Sequence, residues 1–316
     1  MQVTRKTAHQ MMEVLDELRE ELKGRHGKST STDWEKKRVV VKQRLMKLPK
    51  YVEKAASMVT VHQTTGRPKN GDLVKRTMVF LFARLMNKSN RDTEDLLVIF
   101  GSMFGIEMGY KSIERLYSDP EIQAALNNLF ILLLKDEDIS NDFAGDGTGY
   151  TLTVTKHYRS DPKKHSKDYR YAFRIIDIKT GMYVGIGYSA RSEMEAFHQA
   201  KLMADGIGIR INSIRLDKYY SSGKILRLFP GVDVYVLPKK NISKIGLEWS
   251  KVFRRIAESP LKFLMDYFQR NLSENGYSSD KRRFGGIIRQ KREDRQMSAL
   301  FSIGLLHNVF FVRAAC

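Results

Sequence analysis

The segment YAFRIIDIKTGMYVGIGYSA, residues 171–190, predicts a pair of antiparallel β-strands. Residues 171–178 and 182–190 are rich in Tyr, Val and Ile, with apolar side chains at alternate positions, as in strands that bury one face. The tripeptide KTG between them, residues 179–181, is a hairpin turn signal. A β-hairpin is therefore expected here.

The segments on either side of this hairpin predict a mixed α/β domain. A first strand begins near residue 142 and either ends at Gly147–Gly149 or continues through the following TLTVT. After the hairpin the patterns predict a helix at 191–206, a strand in INSIRLD (211–217), a helix near 219–228, a strand in VDVYVLP (232–238) and helices after 245. Three antiparallel strands followed by alternating helices and strands form a layered α/β order. This order resembles that of the ribonuclease H-like fold.

The stretch SPLKFLMDYFQRNLSENGYSSDK, residues 259–281, predicts a helix with two different faces. Ser259 followed by Pro260 is a helix-start pattern, because serine can cap free N–H groups and proline fits the first helical position. At about 100° per residue, one arc expected to pack contains Leu261, Leu264, Met265, Phe268 and Leu272. A second arc contains Tyr267, Arg270 and Glu274, and Lys281 joins it if the helix continues through Gly276.

Four residues of the second arc form a spaced signature. Tyr267, Arg270, Glu274 and Lys281 are separated by two, three and six residues. This spacing resembles the Y-R-E-K signature of one large group of insertion-sequence DDE transposases, whose catalytic domain is ribonuclease H-like. The resemblance covers residues 140–290 and, more loosely, the helical region before them. A solvated charged helix face is the alternative interpretation of these four residues.

Three acids lie where the ribonuclease H-like order requires them, on the first strand, at the end of the fourth and on a late helix. Asp146 lies in AGDGTG, Asp217 ends INSIRLD and Glu274 belongs to the signature. Carboxylates are ligands that hard cations prefer, and two Mg²⁺ ions about 4 Å apart can activate an attacking oxygen and stabilise a leaving one. We therefore expect these three residues to be catalytic and to hold two Mg²⁺ ions, for which Mn²⁺ could substitute.

Three neighbouring acids are weaker candidates for the same site. Asp142 lies on the first strand, but the glycines at 147 and 149 would leave space for a DNA backbone beside Asp146 instead. Asp205 lies at a helix end, and Asp233 begins its strand where a ligand at the strand end is needed.

The resemblance also implies roles for the other signature residues. Tyr267, Arg270 and Lys281 would contact DNA phosphates near the cleaved end of the mobile element. Some members of the group carry a long β-rich insertion between the second Asp and the Glu. The 56 residues between Asp217 and Glu274 leave room only for a helix, a strand and a helix. A hairpin-forming mechanism is therefore in doubt for this chain.

The region before residue 139 predicts helices, two of which form a helix-turn-helix. Charged segments at 6–23 and 33–58, the second of which Pro49 is expected to kink or split, precede apolar helices at 72–87 and 121–135. Between the last two lie a capped helix, a short Gly-containing turn and a second short helix, a pattern that places its second helix in the DNA major groove. The first of these helices is expected to pack through Leu96, Leu97, Phe100 and Phe104. The second is expected to present Lys111, Ser112 and Arg115 to DNA and to bury Ile113 and Leu116.

These patterns divide the chain into three regions. Residues 1–64 are expected to be an N-terminal helical region, residues 65–138 a helical DNA-binding region with the helix-turn-helix, and residues 139–316 the ribonuclease H-like catalytic domain.

The charge balance predicts a polyanionic partner, namely double-stranded DNA. The chain has 55 Lys and Arg residues against 36 Asp and Glu residues, a net charge of +19. A membrane partner is disfavoured because no apolar run approaches about 18 residues. The charged N-terminus does not resemble a secretory signal, so a cytoplasmic, nucleoid-associated protein of a prokaryotic host is expected. The single cysteine, Cys316, excludes intramolecular disulfides.

Three functions remain open on the sequence. The first is a transposase that binds terminal inverted repeats as a DNA-assembled homodimer, cleaves at the element ends and joins the 3′-OH to target DNA. The second is a structure-specific nuclease or resolvase of the same fold, and the third is a non-catalytic, domesticated DNA-binding protein. Inverted repeats flanking the gene, with short direct repeats outside them, would favour the first.

Overall fold

The computed structural model describes residues 3–22, 31–60, 69–153, 169–239, 242 and 245–311. Helices precede the sheet: α1 (Arg5–Glu21), α2 (Ser31–Ser57), α3 (Leu73–Met86), α4 (Asn90–Phe104), α5 (Tyr110–Leu116) and α6 (Pro120–Lys135). The predicted helical N-terminal region is confirmed. The predicted boundary after residue 64 lies outside the described residues, and the one after residue 138 falls in the loop that follows α6.

A mixed sheet follows, with its longest strand in the centre. The strands are β1 (Asp142–Leu152), β2 (Tyr169–Asp177), β3 (Tyr183–Ser189), β4 (Ser213–Leu216), β5 (Asp233–Tyr235) and β6 (Ile287–Ile288). Their order is β3-β2-β1-β4-β5, and β6 pairs with the far end of β1. Strands β1, β2 and β3 are antiparallel neighbours, whereas β4 and β6 run parallel to β1 and β5 runs parallel to β4. The predicted mixed α/β class is confirmed.

The remaining helices surround this sheet. They are α7 (Glu193–Ile207), α8 (Gly223–Leu226), α9 (Leu247–Glu258), α10 (Pro260–Phe268), α11 (Asn271–Phe284) and α12 (Glu293–Phe310), with a 3₁₀ turn at Lys218–Tyr220. Helix α7 approaches β3 so closely that a Cβ at Gly187 would overlap the Ala196 carbonyl oxygen. Only glycine permits this spacing between helix and strand.

The hairpin at 171–190 is confirmed, and its turn is fixed by one aspartate. The Asp177 carboxylate accepts 2.7 Å hydrogen bonds from the backbone N–H and the hydroxyl of Thr180.

Strand β1 runs without interruption to Leu152, so of the two alternatives the continuous strand is right. Helix α2 likewise remains one helix through Pro49.

Helix α12 joins the N-terminal helices to the sheet. Every described residue from Ser298 to Phe310 is buried, and the helix contacts α2, α3 and α6 as well as α11 and β3. A helix that is buried on all sides belongs to the interior of a protein. The helical region and the sheet therefore share one hydrophobic core within the described residues.

The predicted packing face of α4 is only partly right. Leu97 is 1% exposed and Leu96 is half-buried, but Phe100 is 41% exposed. The main neighbours of α4 are α3 and the seven-residue α5, so only a narrow stripe of the helix is buried. The side chain of Phe104 lies outside the described part of the molecule. Ile113 and Leu116 of α5 are buried as predicted.

The predicted packing face at 259–281 is wrong in its first half. Leu261 and Met265 are 47% and 60% exposed, while Phe263 and Tyr267 are buried together with Leu264. The chain is not one helix, because a turn at residues 269–270 separates α10 from α11. Phe263 instead packs against Tyr235 of β5, with ring centroids 5.4 Å apart, and this aromatic contact rotates the buried face of α10.

Within the described ranges, no helix has the length and apolar content needed to cross a lipid bilayer.

Candidate active site

Asp146 lies in the middle of β1, the central strand. Its carboxylate accepts a 2.9 Å hydrogen bond from the N–H of Gly147, and the residue is half-buried. The glycines beside it do not leave open space, contrary to the prediction. A Cβ at Gly147 would overlap the Glu193 carboxylate, and one at Gly149 would lie 3.2 Å from the Tyr169 ring. These glycines admit neighbouring side chains of this chain instead.

Asp217 lies beside Asp146 because of the sheet register. Strand β4 is parallel to β1 and pairs Leu216 with Gly145, so the two aspartates follow at equivalent positions. The Asp217 carboxylate accepts a 3.0 Å hydrogen bond from the N–H of Tyr219 and caps the 3₁₀ turn. Neighbouring parallel strands thus bring the two acids to one place in the sheet.

Glu274 reaches the same place from the first turn of α11. The Arg270 guanidinium, just before this helix, lies between two of the acids: its Nη1 is 2.7 Å from Glu274 Oε1 and 3.4 Å from Asp217 Oδ1. The arginine is 17% exposed and the glutamate 50% exposed. The structure therefore brings Asp217, Arg270 and Glu274 into contact.

The electrostatics of Asp146 show that all three acids interact. Burial raises the pKa of the Asp146 carboxyl to about 6, and the negative charges of Asp217 and Glu274 act in the same direction. The Gly147 N–H and the Arg270 guanidinium oppose this pKa shift. Two carboxylates thus contact the Arg270 guanidinium and the third feels its charge, and this excess of negative charge is an environment that a cation would stabilise.

The donor set suits a hard cation, although it is not arranged around one. Within the described residues, no group of three His, Cys, Asp or Glu side chains is close enough to hold a single ion. The Arg270 guanidinium contacts both Asp217 and Glu274. The donors of all three acids are carboxylate oxygens, which Mg²⁺ prefers.

The signature residues Tyr267 and Lys281 contact the fold. Tyr267 is 3% exposed, burial raises its pKa, and the Arg270 guanidinium lies 5.6 Å from its ring centroid. The Lys281 Nζ donates a 2.7 Å hydrogen bond to Thr148 Oγ1 on β1, and burial lowers its pKa. Helix α11 runs through Gly276, the condition on which Lys281 was expected to lie beside Glu274. The contact residue of Lys281, Thr148, is two positions after Asp146 on β1.

The three residues predicted to read DNA lie on α5, apart from this cluster. Lys111 and Arg115 are exposed, and Ser112 is half-buried. Helix α5 is held by α12: Arg295 forms an ion pair with Glu114 and donates a 3.3 Å hydrogen bond to the Ser118 hydroxyl. The predicted DNA-reading face is therefore fixed on the shared core but not joined to the acids.

Sequence patterns did not identify Tyr277, which connects the two acid-bearing elements. Its hydroxyl donates a 2.8 Å hydrogen bond to the carbonyl oxygen of Asp146 and lies 3.3 Å from that of Ala172. The ring is buried, one helical turn after Glu274. That i+3 spacing was the available signal, because it places Tyr277 beside Glu274 on the helix.

A buried polar cluster holds α11 against the sheet and α12. Asp280 and Arg174 of β2 form an ion pair, with side chains 0% and 1% exposed. Asp280 also accepts a 2.9 Å hydrogen bond from the Tyr183 hydroxyl and lies 2.7 Å from His307 Nδ1. Removing one member of such a cluster leaves a buried charge without its partner.

Comparison with known proteins shows the family of this chain. No model of a known protein family matches the chain. Over 313 residues it is 60% identical to a protein of Archaeoglobus fulgidus described as a probable transposase for insertion sequence element ISA1214. The alignment covers 98% of this chain and 97% of that relative. The chain belongs to the insertion-sequence transposases. Because the alignment extends over nearly the full length of both chains, it spans the helical region as well as the sheet.

Proposed function

We propose that this transposase belongs to the Y-R-E-K group of DDE enzymes. It binds the terminal inverted repeats of its mobile element, cleaves at the element ends and joins the resulting 3′-OH to target DNA. The observation that carries the proposal is the convergence of Asp146, Asp217 and Glu274, from β1, the end of β4 and α11, on the single guanidinium of Arg270.

The sheet supports a ribonuclease H-like catalytic domain. Three antiparallel strands precede two parallel ones, in the order β3-β2-β1-β4-β5, and helices pack on the sheet. In this arrangement the central strand and its parallel neighbour each contribute one acid, and the late helix contributes the third. This order of strands and helices allows acids that are far apart in the sequence to lie close together.

Asp146, Asp217 and Glu274 would hold Mg²⁺, with Mn²⁺ as a substitute. Two such ions would supply polarisation of the scissile phosphate and activation of the attacking water or 3′-OH. Arg270 must give up at least one carboxylate contact for these acids to act as ligands. A DNA phosphate is the partner that takes its guanidinium, because arginine forms paired hydrogen bonds with phosphate oxygens.

Other residues of this chain position the DNA. Lys281 contacts β1 near Asp146, and its ammonium binds the phosphate backbone at the cleaved end. The Tyr267 ring packs against the Arg270 guanidinium and holds it in position. The helix-turn-helix of α4 and α5 reads the element ends through Lys111, Ser112 and Arg115. The partner is double-stranded DNA, on which the transposase assembles as a homodimer.

The catalytic proposal is tested with three single variants, Asp146→Asn, Asp217→Asn and Glu274→Gln. Each removes one negative charge but no apolar contact, so each is expected to abolish cleavage and joining while DNA binding persists. The measurements are a cleavage assay on labelled element ends in Mg²⁺ or Mn²⁺ and a gel shift on the same DNA. Asp205→Asn is the control, because Asp205 lies on α7 and pairs with Lys201. Cleavage close to wild type by any of the three variants would remove that residue from the site.

End recognition is tested with the double variant Lys111→Ala/Arg115→Ala. We expect weaker binding to the inverted repeats and a shallower salt dependence, because two phosphate or base contacts are lost. A matched control removes two exposed positive charges elsewhere, with Lys179→Ala/Lys224→Ala. Unchanged affinity in the first double variant would place the reading surface on another element.

A further inference from the structure

A cleft of about 900 Å³ lies on the side of α11 that faces away from the acids. Its walls are α2, α11, the end of α12 and the turn end of the β2–β3 hairpin. On α11 the lining residues include Leu272, Ser279 and Arg283, which fall within about 40° of one another at ~100° per residue. Glu274 and Lys281 lie on the opposite side of the same helix. The cleft is therefore separate from the acid cluster.

The charge of the cleft has one sign. Its lining contains Lys37, Arg38 and Lys42 of α2 and Arg283 of α11, and no Asp or Glu. Between residues 36 and 50, α2 carries basic side chains and no acidic one. Arg44 fixes this helix, because it pairs with Glu137 and donates a 2.6 Å hydrogen bond to the Asn308 carbonyl oxygen. The positive charges of α2 therefore lie on a helix whose position is fixed by the contacts of Arg44.

The inner surface of the cleft is apolar and partly aromatic. Phe310 and Phe311 line it at the end of α12, together with Leu272. The Arg283 guanidinium lies 3.8 Å from the Phe310 ring centroid, and Phe311 is half-buried. Aromatic rings beside cations are the combination by which proteins bind unpaired nucleotides, since bases stack on rings while phosphates meet the cations.

The volume excludes a double helix as the occupant of the interior. A cleft of about 900 Å³ has the size of pockets that bind small molecules. Unpaired nucleotides fit this size and supply the negative charge that the lining lacks.

We propose that this cleft binds single-stranded DNA, with phosphates on Arg38, Lys42 and Arg283 and at least one base against Phe311. The site lies across α11 from the acids, so the helix has DNA on both sides when the transposase acts. This inference goes beyond the proposed function, because such binding needs neither the carboxylates nor a metal ion. The two can therefore fail separately.

The test is fluorescence anisotropy of labelled dT12 with the full chain, in EDTA, over a series of salt concentrations. Arg38→Gln/Lys42→Gln is expected to weaken binding and to reduce the slope of log K against log[salt] by about 1.4, since each contact to a single strand contributes about 0.7. Lys47→Gln/Lys50→Gln is the matched control, because both residues are exposed on α2 but do not line the cleft. Its slope is expected to equal that of the wild type.

The aromatic part of the site is tested separately. Phe311→Ala is expected to lower dT12 affinity about fivefold or more without changing the salt slope, because a stacked base is lost and no phosphate contact is. Phe311→Tyr keeps the ring and is expected to bind as the wild type does. Melting temperatures identify any variant that is poorly folded. If Phe311→Ala is one, Phe311→Leu, which keeps apolar volume but has no ring, carries the test in its place.

Three results would overturn the proposal. One is equal loss of affinity and slope in the two double glutamine variants, which would indicate general attraction by a basic protein. Another is binding of dT12 only after residues 312–316 are removed, which would mean that the chain itself fills the cleft. The third is a change in molecular mass by light scattering when Arg38 and Lys42 are replaced, which would indicate a second copy as the occupant.

Discussion

The two sides of α11 differ in how they hold their charges. On the side that faces β1, Glu274 pairs with Arg270, Tyr277 binds the Asp146 backbone and Lys281 binds Thr148. On the other side, Arg283 stands exposed at the rim of a basic cleft. The first side depends on short, directional contacts to neighbouring elements, whereas the second depends on positive charge and apolar surface.

This difference separates the expected effects of substitutions. Changes on the β1 side alter the arrangement of the acids and therefore affect cleavage and stability. Changes on the cleft side alter attraction for DNA and leave the acids in place.

The largest effect on stability is expected from Asp280→Ala. The substitution leaves the buried Arg174 guanidinium without its carboxylate, and breaking such a pair costs about 3 to 5 kcal/mol. The measurement is urea unfolding in EDTA. Ser279→Ala, the preceding residue on the cleft side, is the control and is expected to change the unfolding free energy by about 0.5 kcal/mol or less. Similar losses for both variants would contradict the contrast between the two sides.

The second prediction concerns pH and Asp146→Asn. The pKa of this aspartate is about 6 in the folded chain and about 3.9 when unfolded. The folded state therefore binds the proton more tightly, so ionisation destabilises the fold increasingly from pH 4 to pH 6 and by a constant amount above. Asparagine removes this penalty.

In EDTA, Asp146→Asn is thus expected to be more stable than the wild type above pH 6, by on the order of 2 to 3 kcal/mol. The advantage should disappear near pH 4. Thermal unfolding across this range is the measurement, with Asp205→Asn as the control variant. A constant difference at all pH values would show that charge at Asp146 is not its cause.

The third prediction is that Tyr277→Phe loosens the link between β1 and α11. Loss of one buried hydrogen bond to a carbonyl oxygen costs about 1 to 2 kcal/mol. Cleavage is expected to fall further than the folded fraction does, because the bond ends on the Asp146 backbone. Tyr183→Phe is matched to it, since its hydroxyl bonds Asp280 and not β1. Equal cleavage by the two variants would mean that Tyr277 contributes to stability only.

The smallest effect on stability is expected from Lys281→Ala. Its ammonium bonds Thr148 at the surface of β1, and we expect slower cleavage or a weaker complex with element ends. Arg282→Ala is the matched control, because Arg282 is the next residue and is exposed. Melting temperatures should change little in both. Equal, small effects on cleavage would indicate that the fourth signature residue is coincidental in this chain.

The sequence predicted the positions of α11 better than those of α10. The periodicity was counted as if one helix ran from Pro260 onward. Glu274 and Lys281 both lie on α11, so their predicted positions on the same side of the helix remain valid. In α10 the apolar residues on several sides made the buried face ambiguous. Packing of Phe263 on Tyr235 decided it, and that contact joins residues far apart in the chain.

The polar contacts of the site were the least predictable. The sequence placed Asp146 on the first strand, Asp217 at the end of the fourth and Glu274 on a late helix, as the structure has them, because strands and helices leave local patterns. It gave no indication that Arg174 and Asp280 would meet in the interior, or that Glu193 would fill the space beside Gly147. Such contacts depend on the packing of whole elements, which no local spacing encodes.

The central claim is that Asp146, Asp217 and Glu274 hold metal ions together. Its most direct test is to load the protein, with element-end DNA, with Fe²⁺ in place of Mg²⁺ and to generate hydroxyl radicals, which cut the backbone near the metal. Cuts are expected near residues 146, 217 and 274 in the wild type, and all three are expected to be lost in Asp146→Asn. Cuts at other positions, or wild-type cuts that persist in Asp146→Asn, would contradict it.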